Sequence, residues 1–269
     1  MTPSGRLLRY ARTQLVPLHL NTAHEAAAVQ ALVHYPTGAV YSFIPKNACS
    51  TLRMSFALAN GCIAGPEDWV WIHPNNGTFR ATLRELVTAP YTFVVLRCPF
   101  ARLASVFLDK ITGRYPDFWA LHRRERDQLD PDETTFRDFV AAISEPGALE
   151  ANIHWRPQVD FLVYENYDDV FALERFGDAV ARLAQKGIAV ADARALTGHG
   201  TGHLVTEEGA VADTPIHVLA EMKRQGRAPR HAALYDAALI TQVRALYGGD
   251  ITLYETCCRA EDMLFAPAS

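Results

Sequence analysis

The sequence predicts an α/β fold in which a mostly parallel sheet is flanked by helices, and three observations support this prediction. Short runs of β-branched and aromatic residues alternate with longer segments of helical periodicity. Of the 269 residues, 49% are hydrophobic, which is ample for a buried core. Two apolar runs lead through a short turn into a helical pattern, and ligands of parallel sheets bind at such strand ends.

The individual elements follow from local patterns. Apolar runs rich in β-branched and aromatic residues predict three strands: Ala39 to Ile44, Tyr91 to Leu96 and Asp169 to Leu173. Helices are predicted where apolar residues recur at helical spacing: after Lys46, from Pro99 to Ile111, and over Thr134 to Ile143, Phe176 to Gln185 and Ala232 to Tyr247. Gly248-Gly249 is predicted to end the last helix, and Thr197 to Gly202 is predicted to be a loop.

Charge and cysteine content exclude several classes of protein. A formal net charge of -4 gives no bulk attraction to nucleic acid. The five cysteines lack the paired spacing of a zinc site, and an odd number with two adjacent cysteines is a poor disulfide framework, so we expect a cytoplasmic location. No stretch reaches the roughly 18 apolar residues of a membrane span. We interpret the basic segment Arg6 to Leu20 as a terminal arm rather than a signal peptide.

Each of the two strand–turn–helix corners brings a cation and hydroxyl groups to the start of a helix. The first corner is Phe43 to Thr51, with Lys46 in the turn. The second is Leu96 to Ser105, with Arg97 directly after the strand. The start of a helix presents unpaired N–H groups and the positive end of the helix dipole, which suit a phosphate. Two such corners predict a ligand with phosphates at two places.

The first corner differs from the nucleotide loop of NTPases. That loop reads G-x-x-x-x-G-K-[ST], with the lysine just before the helix. Here Lys46 comes early and no glycine is present. Asp109 and Asp169 are the nearest candidates for a strand-end Mg²⁺ ligand, and neither is compelling. An NTPase is therefore disfavoured.

Together the corners resemble the motifs of sulfotransferases that use 3′-phosphoadenosine 5′-phosphosulfate (PAPS). Pro45-Lys46-x-Ala48-Cys49-Ser50 is similar to the 5′-phosphosulfate loop of carbohydrate sulfotransferases. Arg97-x-Pro99-Phe100-x-Arg102-x-x-Ser105 resembles the 3′-phosphate motif of that family. His154-Trp155-Arg156-Pro157 resembles a signature of chondroitin 4-O-sulfotransferase relatives, and Gly226-Arg227-x-Pro229-Arg230 resembles a phosphate-gripping loop.

The resemblance implies a sulfotransferase fold related to the P-loop nucleotide kinases. We expect a single sulfotransferase domain over residues 1–269, with residues 1–35 as an N-terminal arm and helix and residues 36–255 as the catalytic core. The animal members carry a membrane anchor that is lacking here, which implies a bacterial, cytoplasmic version.

The resemblance also implies a role for each motif residue. Lys46 would meet the bridging oxygen as the sulfur–oxygen bond breaks, and no metal is required. Arg97 and Ser105 would bind the 3′-phosphate, because a guanidinium suits phosphate oxygens, while Arg102 either supports the site or is exposed. The other predicted nucleotide contacts are Pro45, Asn47, Ala48, Cys49, Ser50, Thr51, Arg227 and Arg230.

Transfer to a hydroxyl needs a general base, and two histidines are candidates. His73 lies between the two motifs, in a stretch where carbohydrate sulfotransferases carry a histidine. The ordinary pKa of histidine, near 6.5, suits proton abstraction at neutral pH. His154 is the alternative, although its neighbours could instead shape an acceptor pocket. The pair His199 and His203 has helical spacing, but the surrounding glycines disfavour a metal-bearing helix.

The sequence thus predicts a PAPS-dependent sulfotransferase that acts on a hydroxylated acceptor, a carbohydrate or glycoconjugate. Two alternatives stay open. One is an ATP-dependent small-molecule kinase of related fold, which strict dependence on Mg²⁺-ATP would indicate. The other is a non-catalytic nucleotide-binding protein, which would bind the desulfonated product without turnover.

Overall fold

The computed structural model describes residues 6–11, 16–75, 77–125, 128–191 and 204–265. The chain divides into two compact units. Residues 1–97 and 158–198 form the first unit, and residues 98–157 and 199–269 form the second. That both belong to one sulfotransferase domain stays a prediction.

The first unit is built on a four-stranded sheet with strand order β1-β2-β3-β4. Its strands are β1 (Ala31–His34), β2 (Ala39–Ser42), β3 (Thr92–Leu96) and β4 (Asp169–Ala172). β1 runs antiparallel to β2, whereas β2, β3 and β4 are parallel. The predicted α/β fold with a mostly parallel sheet is confirmed. β1 was not predicted, and it lies in the segment expected to hold only an arm and a helix.

Helices accompany this sheet within the first unit. They are α1 (Thr22–Ala28), α2 (Cys49–Ala59), α3 (Leu83–Thr88) and α7 (Phe176–Gln185). β2 and β3 are buried at every position, which explains their continuous apolar runs. Tyr41 of β2 and Phe93 of β3 stack with ring centroids 4.9 Å apart, and Leu52 and Phe56 of α2 belong to the same core. α2 is thereby fixed against the strands from which the predicted phosphate corners start.

The carboxyl ends of β2 and β3 lie side by side. The parallel register pairs Val40 with Thr92 and Ser42 with Val94. The chain leaves β2 into the loop that contains Lys46, and it leaves β3 directly at Arg97. Both cations therefore follow the carboxyl ends of neighbouring parallel strands, as predicted.

The second unit is mainly helical. Its helices are α4 (Pro99–Val106), α5 (Pro116–Arg124), α6 (Phe136–Ile143), α8 (Ile216–Arg224), α9 (Ala237–Leu246) and α10 (Gly248–Cys257). Its short strands, β5 (Val205–Glu207) and β6 (Arg227–Pro229), are parallel. Pro99 occupies the first turn of α4 as predicted, and the helix continues as a π-helix over Phe107–Ile111. Buried aromatic rings form much of this core, among them Phe107, Phe136 and Trp155.

The C-terminal helix differs from its prediction. A 3₁₀-helix, His231–Leu234, comes first, and Asp236 then caps α9 by accepting a hydrogen bond from the Leu239 N–H at 2.8 Å. Gly248 opens α10 instead of ending α9. The glycine signal misled because a glycine that ends a helix adopts a positive φ, and Gly248 does not.

Two expectations from the sequence concern a membrane span and the loop from Thr197 to Gly202. Among the described residues, no helix combines the length and the apolar composition that crossing a bilayer requires. The predicted loop from Thr197 to Gly202, with His199, lies outside the described residues, and so does His203.

Candidate active site

The loop after β2 holds a backbone conformation that is rare outside glycine. Lys46 has a φ of 72° and Ala48 a φ of 56°, on either side of Asn47. A left-handed conformation costs a residue with a side chain roughly 1–2 kcal/mol. Left-handed residues that alternate with right-handed ones are the conformation from which anion-binding nests are built, although here the Asn47 N–H is itself bonded to the Ile44 carbonyl. The loop therefore suits an anion although it contains no glycine.

α2 begins directly behind this loop, and its first turn is open. The N–H groups of Cys49, Ser50 and Thr51 precede the first intrahelical bond, from the Leu52 N–H to the Ala48 carbonyl at 3.1 Å. Within the described part of the chain no side chain caps the helix, and its first turn holds no acidic residue. The three residues are half-buried. Among the described residues, the positive end of α2 thus has neither a side-chain cap nor an acidic residue of its own first turn, which suits an anion.

Asn47 anchors the loop to the sheet. Its side chain is fully buried, and its amide donates to the Val95 carbonyl at 2.9 Å and to Gln158 Oε1 at 2.6 Å. Its backbone N–H donates to the Ile44 carbonyl at 3.2 Å. These donors all serve contacts within the protein, so Asn47 supports the loop. Pro45 is buried as well, and the predicted contacts of both residues with the nucleotide stay predictions.

Arg97 is fixed by an amide that sequence reasoning missed. Gln158 Nε2 donates to the Arg97 carbonyl at 2.9 Å, and Gln158 Oε1 accepts from the Arg97 N–H at 3.0 Å. The Arg97 guanidinium donates through Nη1 to the Lys46 carbonyl at 3.0 Å. The two predicted phosphate-binding cations are therefore linked through the main chain of the loop.

His73 follows a 3₁₀-helix, Pro66–Ile72, and is exposed. Its ring meets the edge of the Trp69 ring with centroids 5.4 Å apart. Arg53 of α2 holds this segment, because its buried guanidinium donates to the carbonyl of Ile72. Burial lowers the pKa of Arg53. α2, which begins directly after the loop that contains Lys46, thus also fixes the segment that carries His73. The sequence did not predict this link.

His154, in the second unit, is paired with a carboxylate. Its Nδ1 lies 2.7 Å from Asp117 Oδ1, and the Asn152 amide donates to the same oxygen at 2.8 Å. Partial burial raises the pKa of Asp117, but the hydrogen bonds and charge of His154, with the bond from Asn152, outweigh it and lower the pKa to about 2. A carboxylate at Nδ1 favours the tautomer whose Nε2 accepts a proton. His154 thus has the local arrangement of a general base.

The rest of the second motif lies on α4. Arg102 is buried, and its guanidinium donates to the Arg156 carbonyl at 2.8 Å and to the Ile153 carbonyl at 3.4 Å. Of the two roles left open for Arg102, the structure therefore favours support over exposure. Ser105 is half-buried on the same helix, and its predicted contact with the 3′-phosphate stays a prediction.

Arg227 and Arg230 already have carboxylate partners. Arg227 begins β6 and pairs with Glu207, while Arg230 lies 3.2 Å from Glu208. A phosphate would have to displace these partners, and the predicted gripping role stays a prediction. Among the described residues, histidine, cysteine and acidic side chains form no group of three that could hold a metal ion.

The structure brings the loop residues and Arg97 together within the first unit and links them through Asn47 and Gln158. The missed Gln158 directly follows the segment from His154 to Pro157 in the sequence. An α/β protein with this loop at the carboxyl ends of parallel strands is suited to a phosphate-bearing ligand.

Comparison with known proteins identifies the family to which the chain belongs. Residues 30–255 match the model of the sulfotransferase family. No curated protein and no solved structure matches the chain. Because the family match covers most of the chain, this protein belongs to the sulfotransferase family, whose members transfer a sulfuryl group to a hydroxylated acceptor. The resemblance of the two corners to sulfotransferases is thereby confirmed at the level of the family.

Proposed function

We propose that this sulfotransferase uses PAPS as its donor and transfers the sulfuryl group in line to a hydroxyl of a carbohydrate, with a histidine as the base. One observation carries the proposal: a strained, glycine-free loop precedes an uncapped helix, with a lysine in the loop and an arginine bonded to it. PAPS is the usual donor of the family and carries phosphate groups at two places.

The residues of the first unit fit the anionic parts of this donor. The backbone N–H groups of Ala48 to Thr51 suit the 5′-phosphosulfate, because they combine a nest with the start of α2. Arg97 suits the 3′-phosphate, since a guanidinium presents its N–H donors in a fork that matches the oxygens of a phosphate. Ser105 is proposed as a second contact to that phosphate on the strength of the motif.

Lys46 and a base divide the chemistry between them. The base removes the proton of the acceptor hydroxyl as its oxygen bonds to sulfur. The bond between sulfur and the 5′-phosphate oxygen breaks, and negative charge grows on that oxygen. Lys46 stabilises this charge, which is a contribution of the kind that preorganised donors make in the transition state.

We propose His73 as the base, with His154 as the competing candidate. His73 belongs to the first unit, and Arg53 ties its segment to α2. His154 has the better chemical arrangement, because Asp117 holds its Nδ1. Removal of each histidine in turn separates the two assignments.

A carbohydrate acceptor is proposed on the resemblance of two motifs, the first corner and the segment from His154 to Pro157. The chondroitin 4-O-sulfotransferase relatives that carry the latter suggest chondroitin as the first acceptor to test. The cytoplasmic location that the cysteines predict stays a prediction.

The test is nucleotide binding followed by an acceptor screen. 3′-Phosphoadenosine 5′-phosphate, the desulfonated product, should raise the melting temperature far more than ADP at equal concentration, because a ligand that binds the folded state more tightly stabilises it more. Labelled PAPS should then label a saccharide in a panel that includes chondroitin. Equal stabilisation by ADP or by Mg²⁺-ATP would contradict the donor, and label only on non-carbohydrate hydroxyls would contradict the acceptor.

A further inference from the structure

Gln158 is a fully buried amide that contacts both predicted phosphate corners. It opens a 3₁₀-helix, Gln158–Phe161, in the first unit. Its Oε1 accepts from Asn47 Nδ2 at 2.6 Å and from the Arg97 N–H at 3.0 Å. Its Nε2 donates to the Arg97 carbonyl at 2.9 Å. The side chain thus bonds the loop after β2 on one side and the end of β3 on the other.

The bonds to Arg97 continue the sheet by means of a side chain. The ladder between β3 and β4 ends at the pair Leu96 and Ala172. One residue later, Gln158 engages both the N–H and the carbonyl of Arg97, as a neighbouring strand would. This contact fixes the main chain from which the Arg97 side chain departs.

The same amide also fixes the loop. Asn47 divides its two side-chain donors between Gln158 and the Val95 carbonyl of β3. Asn47 lies between the left-handed residues Lys46 and Ala48, a conformation that persists only where the surroundings determine it. Both oxygen lone pairs of Gln158 are then committed, one to each corner.

We propose that Gln158 is a positioning residue that holds Arg97 and the Lys46 loop at a fixed separation, so that one ligand can meet both. It acts through Asn47 and Arg97 and does not touch the reacting atoms. The proposal rests on the proposed donor, because a fixed separation matters only for a ligand with phosphates at two places. It predicts that loss of Gln158 lowers 3′-phosphate recognition and turnover together.

The experiment compares Gln158→Met, which keeps the shape of the side chain, with a matched control in the same unit. Asn21 is also a buried amide; it donates to the Tyr10 carbonyl and accepts from the His24 N–H, both at 2.9 Å. Calorimetric titration gives the dissociation constants of 3′-phosphoadenosine 5′-phosphate and of adenosine 5′-phosphate for each protein. The dissociation constant of adenosine 5′-phosphate divided by that of 3′-phosphoadenosine 5′-phosphate measures 3′-phosphate recognition independently of overall stability.

We expect Gln158→Met to reduce this ratio by about tenfold, which corresponds to about 1.4 kcal/mol. Turnover at saturating PAPS should fall roughly 10–100-fold, because small displacements of positioning groups have effects of that size. Asn21→Leu should lower the melting temperature and leave both quantities near wild type. Gln158→Glu keeps an accepting oxygen but loses the donor and adds a buried negative charge near the proposed 3′-phosphate, so its ratio should fall at least as far as that of Gln158→Met.

The experiment distinguishes failure of the proposed donor from failure of the role proposed for Gln158. A wild-type protein with no preference for the 3′-phosphate overturns the proposed donor and this inference with it. A wild-type protein with the preference, and folded Gln158 variants that retain it, overturn the inference alone. If neither Gln158 variant folds under conditions where Asn21→Leu is folded, Gln158 serves folding and the inference is wrong.

Discussion

Replacement of Lys46 separates the two properties of this position, its ammonium group and its left-handed backbone. Lys46→Ala removes the ammonium and keeps a Cβ at a φ of 72°. Lys46→Gly removes the ammonium and also the steric cost of that φ. The two variants therefore share the chemical defect and differ only in the backbone.

The magnitudes follow from the geometry. Loss of a preorganised donor to developing charge costs roughly 10²–10³-fold in turnover, and both variants should show it. At a position with a positive φ, alanine lowers the free energy of unfolding relative to glycine by about 0.4–1 kcal/mol or more. A difference of 1 kcal/mol shifts the melting temperature of a chain this long by about 2–4 °C, so Lys46→Gly should melt a few degrees above Lys46→Ala.

The assay measures turnover at saturating PAPS and acceptor, affinity for the product nucleotide, and the melting temperature. Lys186→Ala is the matched control, an exposed lysine of the first unit with a φ of -91°. Its turnover should match wild type. If both Lys46 variants bind nucleotide weakly but turn over normally at saturation, Lys46 is a binding residue only. If Lys46→Gly is no more stable than Lys46→Ala, the argument from backbone strain is wrong.

Three further predictions concern the other site residues. In a thermal-shift series, Arg97→Ala should remove most of the preference for 3′-phosphoadenosine 5′-phosphate over ADP. The lost charged hydrogen bond should weaken binding of the former by roughly 1.5–3 kcal/mol, and an unchanged preference would refute the role of Arg97. His73→Ala should lower turnover by roughly 10²–10⁴-fold with nucleotide binding intact, whereas His154→Ala should be milder, and the reverse order would make His154 the base. The pKa of Asp117 is lowered from 3.8 to about 2, so its stabilising effect is present above pH 3.8 and is lost as the pH falls towards 2. The stability difference between wild type and His154→Ala should therefore shrink from pH 5 to pH 3 in urea unfolding, and a constant difference would contradict the pair.

Much of the first unit could be predicted because its signals are local. β2 and β3 are buried on both faces, so their sequences are continuous apolar runs that end at the corners. The prediction of α4 succeeded because Pro99 suits the first turn of a helix. β1 was missed because Ala31–His34 depends on pairing with its antiparallel neighbour β2, which its own sequence does not reveal. β6 was missed because the sequence Arg227–Pro229 has no strand signal, and its pairing with β5 spans a long stretch of chain.

At the candidate site too, residues in local motifs could be predicted, whereas contacts between residues far apart in sequence could not. Lys46 and Arg97 could be predicted as candidates because each lies in a short motif beside its own strand. The bonds that organise them could not, since Gln158 reaches Asn47 over 111 residues and Arg97 over 61. A buried amide also has no characteristic pattern, because glutamine is common on surfaces and only the fold decides which one is enclosed.

The buried amide of Asn47 explains how a loop without glycine can keep two left-handed residues. Two left-handed residues, Lys46 and Ala48, together cost roughly 2–4 kcal/mol. The two side-chain bonds of Asn47 contribute about 0.5–1.5 kcal/mol each, which offsets most of that cost. The loop is therefore held in its unusual conformation before any ligand binds. A glycine-rich loop reaches such a conformation without strain but must be ordered when the ligand arrives, and ordering lowers affinity. In this chain the strain is offset during folding, so a ligand of the loop would not have to supply the free energy that orders it.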